Sequence, residues 1–266
     1  VSDGKTFRSI KKLGLVTSIF NEENLSKLKG FLAIGHNRYS TTGGNTIENV
    51  QPIIIPNRGD SLALSHNGNL VNSMELSKKL KRHKMVSTTD TEVLALLICQ
   101  NEAKNWDEKI SNAVIQAKGA FSIVACTKDK LYAFRDPWGF RPLVIGSING
   151  NFVVASETCT LDTIGAKFVR DVDLGEIISI DESGVKTVTI LPKESKKFCL
   201  FEYVYLARPD SVMNDVLVHK ARQRSGKILA KEAPVVADMV VAVPDSGTSA
   251  AIGFAQSTGI AYGEAL

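Results

Sequence analysis

Past Gly119 the sequence becomes a series of short apolar stretches separated by tight turns, and this rhythm limits the fold more than any other feature. Residues 120–126 and 130–134 flank Thr-Lys-Asp, 143–148 and 151–155 flank Asn149-Gly150, and 175–180 and 185–190 flank Asp-Glu-Ser-Gly. Asn-Gly between two alternating apolar runs is the strongest short hairpin signal, because both residues tolerate the positive φ of a primed turn. The spacing predicts antiparallel strands. Before Gly119 the pattern is different. Residues 31–34 and 61–64 read as short strands, and three stretches then carry helix-start chemistry: Asn72-Ser-Met-Glu75, Thr89-Asp-Thr-Glu92 and Asn105-Trp-Asp-Glu108. Each sets a capping residue three before a Glu. The second opens onto Val93-Leu-Ala-Leu-Leu-Ile-Cys99, apolar on every side, which predicts a helix buried between layers. Strands backed by such helices give a layered α+β domain.

Around Leu191-Pro192-Lys193 the pattern breaks. Residues 213–233 read as a basic amphipathic helix and 237–243 as a near-continuous apolar strand of the kind buried in parallel sheets. Pro244-Asp-Ser-Gly-Thr-Ser follows, then a helix over 249–257. Strand, small-residue loop and helix read as the opening of a doubly wound α/β domain. The expected division is therefore 1–192 and 193–266. One strand and two helices cannot bury their faces alone, so the second domain is expected to be cut short. The chain also begins at Val1 rather than Met, which suggests a piece of a longer protein.

Composition excludes several classes. With 44% hydrophobic residues and 32 basic against 28 acidic side chains, disorder is not expected. A net charge of +4 gives no reason to expect nucleic acid, and no apolar run approaches the roughly 20 residues of a membrane span. The cysteines at 99, 126, 159 and 199 form no C-x-x-C pair, so neither a zinc site nor a disulfide framework is suggested, and a cytoplasmic protein is expected.

Four segments could carry chemistry. Gly35-His-Asn-Arg-Tyr-Ser-Thr-Thr-Gly43 holds Arg38 among turn-forming residues, where a guanidinium can clamp a carboxylate with two parallel bonds; the alternative is a solvated turn with a surface Arg. In Ser65-His-Asn-Gly-Asn69, the Asn67 amide and a Gly68 N–H could form an oxyanion hole; the alternative is an ordinary Asn-Gly turn. Asp90, in the first turn of the Thr89-capped helix, complements the helix end and could equally hold a substrate ammonium. Arg135-Asp-Pro-Trp-Gly-Phe-Arg-Pro142 reads as a rigid corner. The histidines at 36, 66, 83 and 219 and the serines supply no recognisable nucleophile.

These segments, in this order, resemble the amidophosphoribosyltransferase family, glutamine-dependent enzymes that open de novo purine synthesis. G-H-N-R-Y-S-T-T-G, S-H-N-G-N, S-T-T-D-T-E, R-D-P-W-G-F-R-P-L and A-S-E-T match the glutaminase half of that family. Phe201-Glu-Tyr-Val-Tyr-Leu-Ala-Arg-Pro-Asp-Ser211 and Val243-Pro-Asp-Ser-Gly247 match the start of its phosphoribosyltransferase half. The resemblance implies an N-terminal-nucleophile glutaminase, a layered αββα sandwich, followed by the start of a type I phosphoribosyltransferase α/β domain. It implies that Arg38 grips the glutamine α-carboxylate, Asp90 its α-ammonium, and Asn67 with Gly68 the oxyanion. The family's nucleophile is an N-terminal cysteine using its own α-amino group as base. Ammonia released from glutamine then displaces pyrophosphate from Mg²⁺-bound 5-phosphoribosyl 1-pyrophosphate (PRPP). No cysteine lies near residue 1, and no acidic D-D-S loop for PRPP is present, so this chain alone is expected to be inactive and its parent active. Cys199 falls where some members place one of four ligands to a [4Fe–4S] cluster. A homo-oligomer is also implied. The alternatives are another class II glutamine amidotransferase, or a non-catalytic glutamine-binding module.

Overall fold

The computed structural model describes residues 1–38, 44–57, 60–81 and 85–266. Tyr39–Gly43 of the first motif, and His83, lie outside them. The chain divides into two compact units, one of residues 1–141 with 172–197 and the other of 142–171 with 198–266.

In the first unit, short helices α1 (Val16–Ile19) and α2 (Glu22–Ser26) precede strands β1 (Ile53–Asn57) and β2 (Asp60–Leu70). Helices α3 (Ser73–Ser77), α4 (Asp90–Gln100) and α5 (Trp106–Val114) follow, then β3 (Gly119–Cys126) and β4 (Leu131–Arg135). The chain crosses to the second unit for β5 (Val144–Ile148), β6 (Asn151–Ala155), α6 (Thr158–Thr163) and β7 (Lys167–Asp171), and returns for β8 (Glu176–Asp181) and β9 (Gly184–Ile190). The first unit's sheet has the order β1-β2-β3-β4-β8-β9, antiparallel at every pairing. Helix α4 packs on β1 and β2, and its Val93, Leu94, Leu96 and Ile98 join Leu62, Leu64, Phe121, Ile123 and Phe134 in the principal core. Every α4 residue from Thr91 to Cys99 except Leu97 is buried, as its apolar surround predicts.

Two of the three expected caps form, with Thr89 Oγ1 and Asn105 Oδ1 accepting the N–H groups of Glu92 and Glu108. Asn72 instead turns its amide outward from α3, donating to the Gln116 carbonyl and accepting the Lys118 N–H; it fastens the approach to β3. Residues 31–34 are not a strand. Only Leu32 forms a bridge, with Ser2, and the alternate positions Phe31 and Ala33 face solvent, leaving no second side to bury. Conversely β2 runs six residues past the expected end at Leu64, carrying Ser65-His-Asn-Gly-Asn69 inside the strand. Those residues pair in unbroken register with β3, Asn67 opposite Ser122 and Gly68 opposite Phe121, so the motif is not a turn.

The Arg135–Pro142 corner is rigid for a visible reason. Asp136 is fully buried and its carboxylate accepts N–H groups from Phe121 (3.1 Å), Trp138 (3.0 Å), Gly139 (2.8 Å) and Phe140 (3.3 Å). Arg135 caps the carbonyls of Arg141, Val172 and Gly139.

In the second unit β6-β5-β7 form an antiparallel sheet, with Asn149 and Gly150 both at positive φ in the hairpin turn. Phe201–Leu206 coils into a π-type turn at 202–206, followed by a hairpin of β10 (Val212–Met213) and β11 (Val216–Leu217). Asn214 and Asp215 take positive φ there, so the expected helix starts five residues late, as α7 (Val218–Glu232). Glu157 of the A-S-E-T segment accepts the Arg208 N–H (2.8 Å) and the Ser211 hydroxyl (2.7 Å), and Thr158 accepts the Val212 N–H. Strand β12 (Met239–Val241), helix α8 (Ser246–Thr258) and strand β13 (Ala261–Gly263) make a parallel βαβ unit. The strand is parallel as expected but not buried: Met239 is 53% exposed and Val241 37%.

Candidate active site

The residues with the most constrained geometry gather at the N-terminus of α4 beside the C-terminal half of β2. Thr89 ends the preceding segment in extended backbone and caps the helix, which fixes Asp90 in its first turn. Asp90 Oδ2 accepts the Leu70 N–H at 2.7 Å, tying the helix start to the strand end. The same oxygen lies 3.7 Å from His66 Nδ1. Burial works to raise the Asp90 pKa, but the His66 ring and the Leu70 and Thr91 N–H groups outweigh it and hold the carboxyl below its ordinary value. Asp90 is thus an anion with 13% of its side chain open to solvent.

Asn67 and Gly68 are half-buried, on β2 between His66 and Leu70. Gly68 adopts φ +151°, and a Cβ there would collide with the Ala120 carbonyl oxygen and come within 2.9 Å of His66 Nε2. Only glycine lets β2 approach β3 this closely while leaving a bare backbone face. Such an N–H, next to a side-chain amide, is the donor pair an oxyanion requires.

Arg38 is drawn into the same group by residues that sequence reasoning missed. Its guanidinium donates to the Gly44 carbonyl (3.3 Å), which also accepts from Asn49 Nδ2 (2.9 Å). Asn49 is buried; its amide donates to Thr88 Oγ1 (3.1 Å) and its Oδ1 accepts the Thr88 N–H (2.9 Å), two residues before Asp90. Gln51 likewise brackets His66, accepting its N–H at 2.6 Å and donating to its carbonyl at 3.3 Å. Residues 44–51 therefore splice the Arg38 segment to both β2 and α4. Asn49 and Gln51 carry no signal in the sequence, since their partners are distant in the chain; His66 had one, being inside the S-H-N-G-N run.

Cys199 does not join this group. It is partly exposed in the second unit, its carbonyl accepting the Glu202 N–H. Cys99, Cys126 and Cys159 are buried on α4, β3 and α6. Among the described residues no set of three or more His, Cys, Asp or Glu is placed to hold a metal ion. Nor is any helix among the described residues long and apolar enough to cross a membrane.

Residues 36–163 match the sequence profile of a glutamine amidotransferase domain. The chain is 46% identical over 271 residues to amidophosphoribosyltransferase of Synechocystis, covering 99% of this chain and 55% of that protein. It is 44% identical over 284 residues to the Methanocaldococcus jannaschii amidophosphoribosyltransferase, covering all of this chain and 60% of that one. The solved glutamine PRPP amidotransferase of B. subtilis, complexed with ADP and GMP, superposes with a TM-score of 0.91 at 41% identity, over 99% of this chain and 58% of that one. The chain thus spans about half the length of the curated relatives it matches. An antiparallel layered α+β unit and relatives aligned along the whole chain agree with one another: the chain is similar throughout its length to one part of amidophosphoribosyltransferases, and residues 36–163 match a glutamine amidotransferase domain.

Proposed function

We propose that the α4–β2 site binds glutamine in the first step of an ammonia transfer to PRPP, yielding 5-phosphoribosylamine, glutamate and pyrophosphate at the opening of purine synthesis. The observation that carries this reading is Asp90: an ionised carboxylate, partly open, fixed at the end of the strand that bears Asn67-Gly68 and spliced to the Arg38 segment through Asn49. A free amino acid presents one carboxylate, one ammonium and, for glutamine, one amide carbonyl. Arg38 answers the first, Asp90 the second, and the Asn67 amide with the Gly68 N–H the oxyanion formed from the third; each such donor is worth roughly 3 kcal/mol in the transition state.

The acyl transfer needs a thiolate that forms a C–S bond to the side-chain carbonyl as ammonia leaves. Cys99 and Cys126 are buried, and burial pushes their thiols up to about 12 and about 11, which disfavours the thiolate that the attack requires. We assign that role, by family resemblance, to an N-terminal cysteine of a longer protein. Residues 193–266 are read as the start of the phosphoribosyltransferase half, following a glutaminase half over 1–192. Their parallel βαβ unit supports this. A Mg²⁺ site for PRPP, a cytoplasmic location and a homo-oligomeric assembly complete the proposal. Cys199 is the single ligand this chain could lend to a [4Fe–4S] cluster.

The test is to express the protein in its own reading frame on both sides and measure pyrophosphate release from PRPP with glutamine or with ammonia as nitrogen donor. Asp90→Asn should raise the glutamine KM at least tenfold and leave the ammonia reaction unchanged. Equal loss with both donors would remove Asp90 from the glutamine site.

A further inference from the structure

His66 has an unusual environment for a residue the glutamine chemistry does not use. Its side chain is 1% exposed. Both of its main-chain polar groups are held by Gln51, which fixes the backbone that carries the ring. Nδ1 faces Thr91 Oγ1 at 3.4 Å and Asp90 Oδ2 at 3.7 Å, while Nε2 is buried with no hydrogen-bond partner among the described residues. A buried ring nitrogen without a partner is tolerable as a lone pair but costly as an N–H donor, since a lost donor bond has no water to replace it. The neutral ring is therefore compatible with this pocket, and Asp90 is the carboxylate placed to compensate an imidazolium.

We infer that His66 is a positioning residue whose protonation competes with the substrate's α-ammonium for the Asp90 carboxylate. This rests on the assignment of Asp90 to that ammonium. With the ring neutral, it buttresses Asp90 and leaves the carboxylate's charge to the ligand. With the ring protonated, Asp90 is already paired, and a second cation must displace the first. Binding linkage makes the effect reciprocal: a proton on His66 weakens glutamine, and glutamine weakens the proton. His36 also feels the charge of His66. Burial, then the neighbouring His66 and Arg38 charges, push it down to about 4, so it stays neutral across the range in which His66 is tested.

Two measurements on the full chain decide the matter. Calorimetric titration with L-glutamine should show Kd rising about tenfold between about pH 7.5 and about pH 5, and His66→Gln should flatten that rise. In the unsubstituted chain, the His66 ring followed by ¹⁵N NMR should titrate about one unit lower when saturated with glutamine, whereas 4-carbamoylbutanoate, which lacks the ammonium, should leave it in place. The NMR arm requires no variant to fold. A His66 titration indifferent to glutamine, or a Kd profile unchanged by His66→Gln, overturns the inference. If instead Asp90→Asn leaves glutamine affinity intact, the assignment of Asp90 itself has failed.

Discussion

Gly68 shows how much of this site is decided by single residues. It sits in a strand, where glycine weakens packing, yet any Cβ would strike the Ala120 carbonyl and crowd the His66 ring. Gly68→Ala is expected to destabilise the first unit by roughly 1–3 kcal/mol and to weaken glutamine binding as well, because the strand must move away from β3. Urea unfolding and a glutamine titration on the same preparation check both; a variant of unchanged stability would mean β2 has room that the structure denies it. At this scale the chemistry proposed for Arg38, Asn67, Gly68 and Asp90 is readable locally, since a guanidinium, an amide, a glycine and a helix-start acid announce what they can bind. The placements of Asn49 and Gln51 are not, and His66 is marked only by lying inside the S-H-N-G-N run. Their roles depend on partners brought near by the sheet, and nothing in a buried His or Gln announces which distant group it meets.

Among the elements, α4 carries Asp90 and packs on β1 and β2, and the Arg135–Pro142 corner is tied through Phe121 to β3, the strand paired with Gly68. The helix was legible because cap, first-turn acid and apolar core occur together in one stretch. The extent of β2 was not, because Asn-Gly signals a turn locally while its pairing with β3 is decided by long-range register. The corner's composition predicted rigidity, but not that one carboxylate would gather four N–H groups. Asp136→Ala strands those buried donors. It should cost about 3–5 kcal/mol, more than a typical core truncation of similar size. Denaturant midpoints for Asp136→Ala and Asp136→Asn separate the cases: the amide, which retains one acceptor oxygen, should recover part of the loss, and equal midpoints would show that the hydrogen bonds contribute little.

For the whole molecule, the antiparallel sheet of the first unit and the βαβ unit of the second follow from periodicity, but the assignment of residues 142–171 to the second unit does not. That sheet is continuous in sequence with β4 and β8 and gives no compositional sign of packing with residues 198–266. The hydrogen bonds of Glu157 and Thr158 to the segment around Arg208, Ser211 and Val212 explain the association, and they also give the A-S-E-T and A-R-P-D-S runs a shared structural role. The central claim, that this fold presents a glutamine site built from Arg38 and Asp90, is tested most directly by calorimetry on the 266-residue chain with three ligands. L-Glutamine should bind, and removing either its α-ammonium or its α-carboxylate should each weaken binding at least tenfold, in parallel with Asp90→Asn and Arg38→Ala respectively. Equal affinity for glutamine and both truncated ligands, or binding that survives both substitutions, would contradict the account.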